Sequence, residues 1–214
     1  MAKPRTAEDF SRQVTTDFTW RLKELSNLKS AIDKSGSPEK PTFLRALVVM
    51  CYAHWEGHAK FCGDRFLEYL TMRSLKFSEI TPSFYEVRFL REIASASSMS
   101  YIQRVELIQK IRSSIDERFS RFPKELIDTR SNLNSAVLQD LCLICGISYE
   151  DFVNDADFID RILLKRRNEV AHGEAVFIDA VDSTELVDRT LRIMRNFRDK
   201  LEQVISLQSY RLAA

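Results

Sequence analysis

Apolar residues recur along this chain every three or four positions, with charges in the intervals. Phe10, Val14, Phe18, Leu22, Leu25 and Leu28 predict an amphipathic first helix reaching about Asp33. Thr6 is placed to cap it, with carboxylates in the first turn. The Gly- and Pro-bearing residues 35–41 break the pattern. Over residues 42–71 the apolar set is denser: Leu44, Leu47, Val48, Cys51, Trp55, Phe61, Cys62, Phe66 and Leu70. They cover well over half a helix circumference, which predicts a central helix buried on several sides. At about 1.5 Å per residue it spans roughly 45 Å, and a bend is expected near Gly57 or Gly63.

Beyond Thr71 the periodicity weakens. Residues 74–83 are irregular, 84–93 read as a short helix, and 94–100 as a small, polar, mobile joint. Val105, Ile108, Ile111, Ile115 and Phe119 predict a helix over 101–122, interrupted by Arg and Ser and ended by Pro123. Residues 74–130 are expected to form a helical insertion beside the main bundle. Residues 131–134 carry a turn and cap signal, Leu138, Leu141, Cys142 and Cys145 follow, and Gly146 ends the helix. One helix is predicted over 152–172, a connector over 174–182, and a capping box at 182–185. The last helix carries Leu186, Thr190, Ile193, Phe197, Leu201, Ile205 and Leu207 to about Tyr210. With no alternating strand pattern and no internal repeat, the fold class is all-α, in a single domain over 1–214.

Composition narrows the partners. The chain has 214 residues, only 5 Gly and 5 Pro, and a net charge of +1. It therefore has no global basic footprint, and any nucleic-acid contact must be a local patch. No leader peptide and no membrane span is read, so a cytoplasmic protein without membrane contact is expected. Cys51, Cys62, Cys142 and Cys145 all fall in apolar, helix-like segments and are expected as reduced core thiols.

The candidate chemistry is concentrated in Arg167-Asn168-x-x-x-His172, followed by Gly173. Asn168 and His172 are i and i+4 and share a helix face; Arg167 lies about 100° to the side and can swing onto it. Arg binds phosphate oxygens with a planar fork of donors, and His moves a proton near neutral pH. That set suits a phosphodiester. The competing reading is a surface Arg and a His that favours the helix C-terminus. A zinc reading of Cys51, His54, His58 and Cys62 fails on geometry, because Cys51 and Cys62 lie about 16 Å apart along one helix. A polar seam in a buried helix is expected there instead. Cys142-x-x-Cys145 has no preceding strand and reads as core packing. Glu56 is an acid in a largely apolar helix. It either pairs with another helix or stands behind Arg167 or His172.

Arg167, Asn168 and His172 together match the motif of the HEPN superfamily, which this chain resembles: an Arg, a polar residue, then His four to six positions beyond the Arg. Residues 52–58, Tyr-Ala-His-Trp-Glu-Gly-His, and the 131–134 turn with its short helix resemble one bacterial toxin and defence clade of that superfamily. The resemblance covers about residues 42–210. It implies a HEPN-like bundle of four or more core helices and metal-independent RNA cleavage by a homodimer with a composite site. Arg167 would bind the phosphate, His172 would act as base or acid, and Asn168 would orient either. No cofactor is implied. RNA and a cognate antitoxin or defence-system protein are the implied partners. The alternatives are a HEPN-like module that binds RNA, nucleotide or protein without cutting, and a helical scaffold. Two features depart from the family pattern. Glu174 stands where one subset has a modifiable Tyr, and Arg166 precedes Arg167, so either guanidinium could serve; the Arg-Asn order favours Arg167.

Overall fold

A helix apolar nearly all round has to be enclosed, and this chain encloses it with its own two ends. The computed structural model describes residues 1–36, 38–122, 126–174 and 182–212, with only the backbone of Arg91 and Asp182. Its helices are α1 (Ala7–Lys34), α2 (Lys40–Arg73), α3 (Pro82–Arg88), α4 (Leu90–Ser95), α5 (Tyr101–Ser113), α6 (Ser135–Cys145), α7 (Arg166–Ala171) and α8 (Asp182–Ser206). Among the described residues there is no β-strand, only isolated bridges of Lys76 with Arg118 and Ile80 with Arg211. The all-α architecture is the one the periodicity predicts. No described helix is long and apolar enough to cross a membrane.

α1, α2 and α8 pack against one another around α2. Phe10 meets Phe66, Asp17 meets His58, and Glu24 meets His54, so α1 runs antiparallel to α2. Trp55 packs edge-on to Phe197 and Tyr69 to Tyr210, so α8 runs parallel to α2. Thr6 caps α1 by accepting from the Asp9 amide at 3.0 Å, as expected. The two glycines of α2 mark close approach. A Cβ on Gly57 would lie 2.7 Å from the Arg21 guanidinium, and one on Gly63 would lie 3.0 Å from Ile127.

The polar seam of α2 is a hydrogen-bonded chain across the α1–α2 contact. The Asp17 carboxylate accepts from Arg21 Nε at 2.8 Å, Arg21 Nη2 at 3.1 Å, Trp20 Nε1 at 3.2 Å and His58 Nδ1 at 2.6 Å. With Nδ1 donating, a neutral His58 leaves Nε2 to accept from the Cys62 thiol at 3.5 Å. Arg21 Nη1 lies 3.5 Å from His54 Nδ1, and the other His54 nitrogen lies 2.9 Å from Glu24. Among the described residues no group of three or more His, Cys, Asp or Glu is placed to hold a metal ion.

The region 74–130 is more finely broken than its periodicity suggests. The predicted helix at 84–93 divides at Phe89 into α3 and α4, and the one at 101–122 stops at Ser113 before a 3-10 turn, Ser114–Asp116. The expected joint at 94–100 is the end of α4 and a second 3-10 turn, Ala96–Ser98. An aromatic run ties the region to α2: Phe66 to Phe84, Phe84 to Phe119, and Phe119 to Phe77. Phe77, Ile80, Phe84, Val87, Phe119 and Ile127 belong to the same apolar core as α2. α5, by contrast, buries none of its residues, and Tyr101, Ile102, Val105 and Ile108 are exposed. The helix-ending role of Pro123, the connector before α8 and the Asp182 capping box lie outside the described residues. α8 ends at Ser206, and residues 207–210 turn rather than continue the helix.

All four cysteines are buried and free. Burial raises every thiol, Cys51 and Cys142 to about 12 and Cys62 and Cys145 well above the usual value.

The seam makes stability depend on pH. Burial pushes His58 and His54 below their ordinary value of 6.5, against the pull of the nearby carboxylates. Burial also works to raise the Asp17 carboxyl, but the hydrogen bonds from His58 and Arg21 prevail and hold it below its usual 3.8. In each case the unfolded chain binds the proton at higher pH than the folded one, so acidification favours unfolding. The melting temperature is expected to fall as pH drops through about 6.5 toward 5, and less steeply in His54→Gln, by circular dichroism. Asp17→Ala, which strands a guanidinium and an imidazole, is expected to cost about 3–5 kcal/mol at neutral pH by urea denaturation.

Candidate functional site

The segment predicted as one helix over 152–172 is continuous in space but changes character twice. It starts as a 3-10 helix, Tyr149–Asp155, passes through a π-helix, Phe158–Lys165, and ends as α7. π-Turns are rare, usually a single turn, and frequent at functional sites. Here the wider winding buries Phe158, Ile159 and Leu163 and turns Asp160 toward the start of α6. The Asp160 carboxylate accepts from the Ser135 amide at 2.7 Å and the Ser135 hydroxyl at 2.6 Å, a favourable place for an anion at a helix N-terminus. Asn134 caps the same helix by accepting from the Val137 amide at 2.8 Å. The motif segment is thereby braced against α6 and the turn before it.

α7 closes with a double hydrogen bond. The Gly173 amide reaches the Val170 carbonyl at 3.1 Å, and the Glu174 amide reaches the Glu169 carbonyl at 2.9 Å. This arrangement needs a left-handed residue between them, and Gly173 supplies it at φ +77°. The Glu174 carbonyl then accepts from Arg45 Nη1 at 2.6 Å, which ties the exit of the motif to the start of α2.

The motif side chains separate on this frame. His172 caps α7, is exposed, and makes no side-chain hydrogen bond or ion pair among the described residues. Asn168 is half-buried one turn earlier, and its carbonyl accepts from the His172 amide at 2.9 Å. Arg167 turns inward to α2. Its guanidinium lies 4.1 Å over the Tyr52 ring, and Nη2 donates to the Ser131 carbonyl at 2.8 Å. Arg166 goes the other way, lining a groove with Phe158, Ile162, Leu186, Glu185 and Arg189 beside α8. Within one chain Arg167 and His172 make no hydrogen bond to each other. Glu56 is half-buried one turn beyond Tyr52; among the described residues its buried Oε1 has no hydrogen-bond partner, and it forms no ion pair with Arg167 or His172.

Tyr52 and the Ser131 carbonyl are the parts of this surround that spacing alone did not single out. Tyr52 stands one turn before Glu56 on α2, which puts the two on one face. That signal was legible, but an aromatic in a buried helix reads first as core. Burial pushes the Tyr52 hydroxyl above its ordinary value, against hydrogen bonds from Arg167 and the Leu133 amide.

A family model described as RiboL-PSP-HEPN matches residues 16–203, from within α1 to near the end of α8. The chain belongs to the RiboL-PSP-HEPN family. No curated protein and no solved structure matches it. The matched span of this HEPN chain contains both the motif segment and the 74–130 region, so the fold and the resemblance read from Arg167, Asn168 and His172 agree on the superfamily.

Gly173 offers a direct check on this frame. Nothing lies within 4 Å of a Cβ placed there, so Gly173→Ala meets only the cost of its positive φ. A loss of about 1–2 kcal/mol is expected in urea denaturation, with faster hydrogen exchange at the His172 and Gly173 amides.

Proposed function

We propose that this HEPN protein is an endoribonuclease that works as a homodimer, with His172, Arg167 and Asn168 of each copy lining a shared site. What carries the reading is the exposed imidazole of His172, fixed at the capped end of a braced helix with a guanidinium and an amide one turn before it. RNA brings its own nucleophile, the 2′-OH, beside the scissile phosphorus. One His172 takes the 2′-proton, and the 2′-oxygen attacks phosphorus. The bond to the 5′-oxygen breaks, and the His172 of the second copy returns a proton to it. The products are a cyclic phosphate and a 5′-hydroxyl. Each proton transfer contributes about 10²- to 10⁴-fold. Arg167 stabilises the charge that gathers on the phosphoryl oxygens, and Asn168 orients the imidazole or the phosphate. This scheme runs without a metal ion. A fast, unspecific RNase is harmful to its host, which fits a toxin or effector of a toxin–antitoxin or anti-phage defence module held by a cognate antitoxin.

A second reading, an RNA-binding module without cleavage, draws support from the guanidinium of Arg167, which is already engaged by Tyr52 and Ser131. Purified protein incubated with RNA in EDTA separates the two. Cleavage is expected for the parent, with a loss of about 10²-fold or more in His172→Ala at unchanged thermal stability, and none on DNA or 2′-O-methyl RNA. Equal cleavage by His172→Ala, or binding by the parent with no cleavage, rules the nuclease out.

A further inference from the structure

The turn that receives Arg167 is held in an unusual backbone conformation. Arg130 and Ser131 sit in succession at φ +52° and +56°, the left-handed region that residues with a Cβ rarely adopt. Other contacts hold the pair there. The Asp128 carboxylate accepts from the Arg130 amide at 2.8 Å, and the Asn132 amide donates to the Thr129 carbonyl at 2.9 Å. On the far side the Leu133 amide donates to the Tyr52 hydroxyl at 2.6 Å. The consequence is a Ser131 carbonyl aimed at Arg167. Tyr52 therefore acts twice: its ring lies under the guanidinium carbon, and its hydroxyl anchors the turn that supplies the carbonyl.

Two neighbouring left-handed residues away from glycine carry a conformational cost, and such strain clusters at ligand-binding and functional sites. The guanidinium they fix is not exhausted by them. Nη2 donates to the Ser131 carbonyl, and among the described residues Nε is buried without a hydrogen-bond partner. A guanidinium has five N–H donors, so the fork keeps capacity for an anion. Stacking on an aromatic face fixes the plane of a guanidinium, and a carbonyl at one corner fixes its rotation. A long, rotamer-rich side chain is so reduced to one pose.

We infer that Tyr52, with the Ser131 turn it anchors, is a positioning residue: it presets Arg167 to receive a phosphate of the RNA backbone. The inference rests on the proposed role of Arg167, and it adds that this role depends on a side chain from another helix that touches no substrate. Tyr52→Phe keeps the stacking ring and loses the anchor; Tyr52→Leu loses both. Ser131→Val leaves Tyr52 intact but places a β-branched residue where φ is positive, so the carbonyl must move.

Affinity for a 2′-O-methyl RNA, which cannot be cut, is measured at several salt concentrations alongside cleavage of unmodified RNA. Arg167→Ala is expected to weaken binding about tenfold and to reduce the salt slope by about one. Tyr52→Leu and Ser131→Val are expected to approach that loss, and Tyr52→Phe to fall between them and the parent. In cleavage the same order is expected in kcat/KM, and Tyr52→Leu adds nothing once Arg167 is Ala. Affinity and kcat/KM at parent level in folded Tyr52→Leu and Ser131→Val would overturn the positioning role and leave the nuclease standing. If the parent binds and does not cut while Tyr52→Leu binds as weakly as Arg167→Ala, the nuclease fails and the positioning role stands. No change in any variant, Arg167→Ala included, overturns it as well. Circular dichroism on each variant restricts the comparison to folded protein, and Tyr52→Phe serves where Tyr52→Leu does not fold.

Discussion

Everything in this molecule is arranged around the need to keep water from α2. A helix of 34 residues with Trp55, Phe66, Leu67, Leu47 and Val48 all fully buried cannot stand beside one partner. It needs cover on several sides, and each side is given to a different stretch of chain. α1 covers one, α8 another, the motif segment with α6 a third, and Phe84 and Ile127 of the 74–130 region meet it at Phe66 and Gly63. Burial on the scale of about 25 cal/mol per Å² supplies the drive, but it does not choose the register. The polar residues choose it. Trp20 and Arg21 bond Asp17 within α1, but the His58 bond to Asp17 and the His54 contact with Glu24 form at only one sliding position of α1 on α2, and leaving such groups unpaired in the interior would be costly.

The same constraint explains how the candidate site is held. α7 has only 6 residues and no buried one, too little to fold by itself. It is held from its two ends, by the π-helix that enters the core at Leu163 and by Gly173 and Arg45 at its exit. Its side chains then divide by neighbourhood. Those beside α2 meet an aromatic and a carbonyl, those beside α8 meet a groove, and the one at the cap meets solvent.

The long helices and the motif were legible in the sequence because their signals are local. Thr6, Asn134 and Gly146 end or begin helices where turn chemistry says they should, and the apolar stripe of α1 and the all-round burial of α2 follow from spacing. The candidate chemistry at Arg167, Asn168 and His172 was legible as a set of residue types. What those side chains touch was not. That Arg167 would lie on Tyr52 depends on packing between residues 115 positions apart, which no periodicity encodes. The break at Phe89 escaped for a related reason: its surroundings are helix-forming, and the chain bends there because Phe89 is buried while Leu90 and Ile93 are exposed. The π-winding over Phe158–Lys165 has no distinct apolar period in so short a span.

The four thiols have a practical meaning. Each is enclosed within the apolar interior and held as the protonated, unreactive form. A maleimide or a disulfide dye should find nothing to modify on the intact molecule. Cys51 and Cys62 report on α2 and Cys142 and Cys145 on α6, so labelling under native conditions becomes a clock for opening of the interior. Four single-cysteine proteins would tell whether those two helices open together or one before the other.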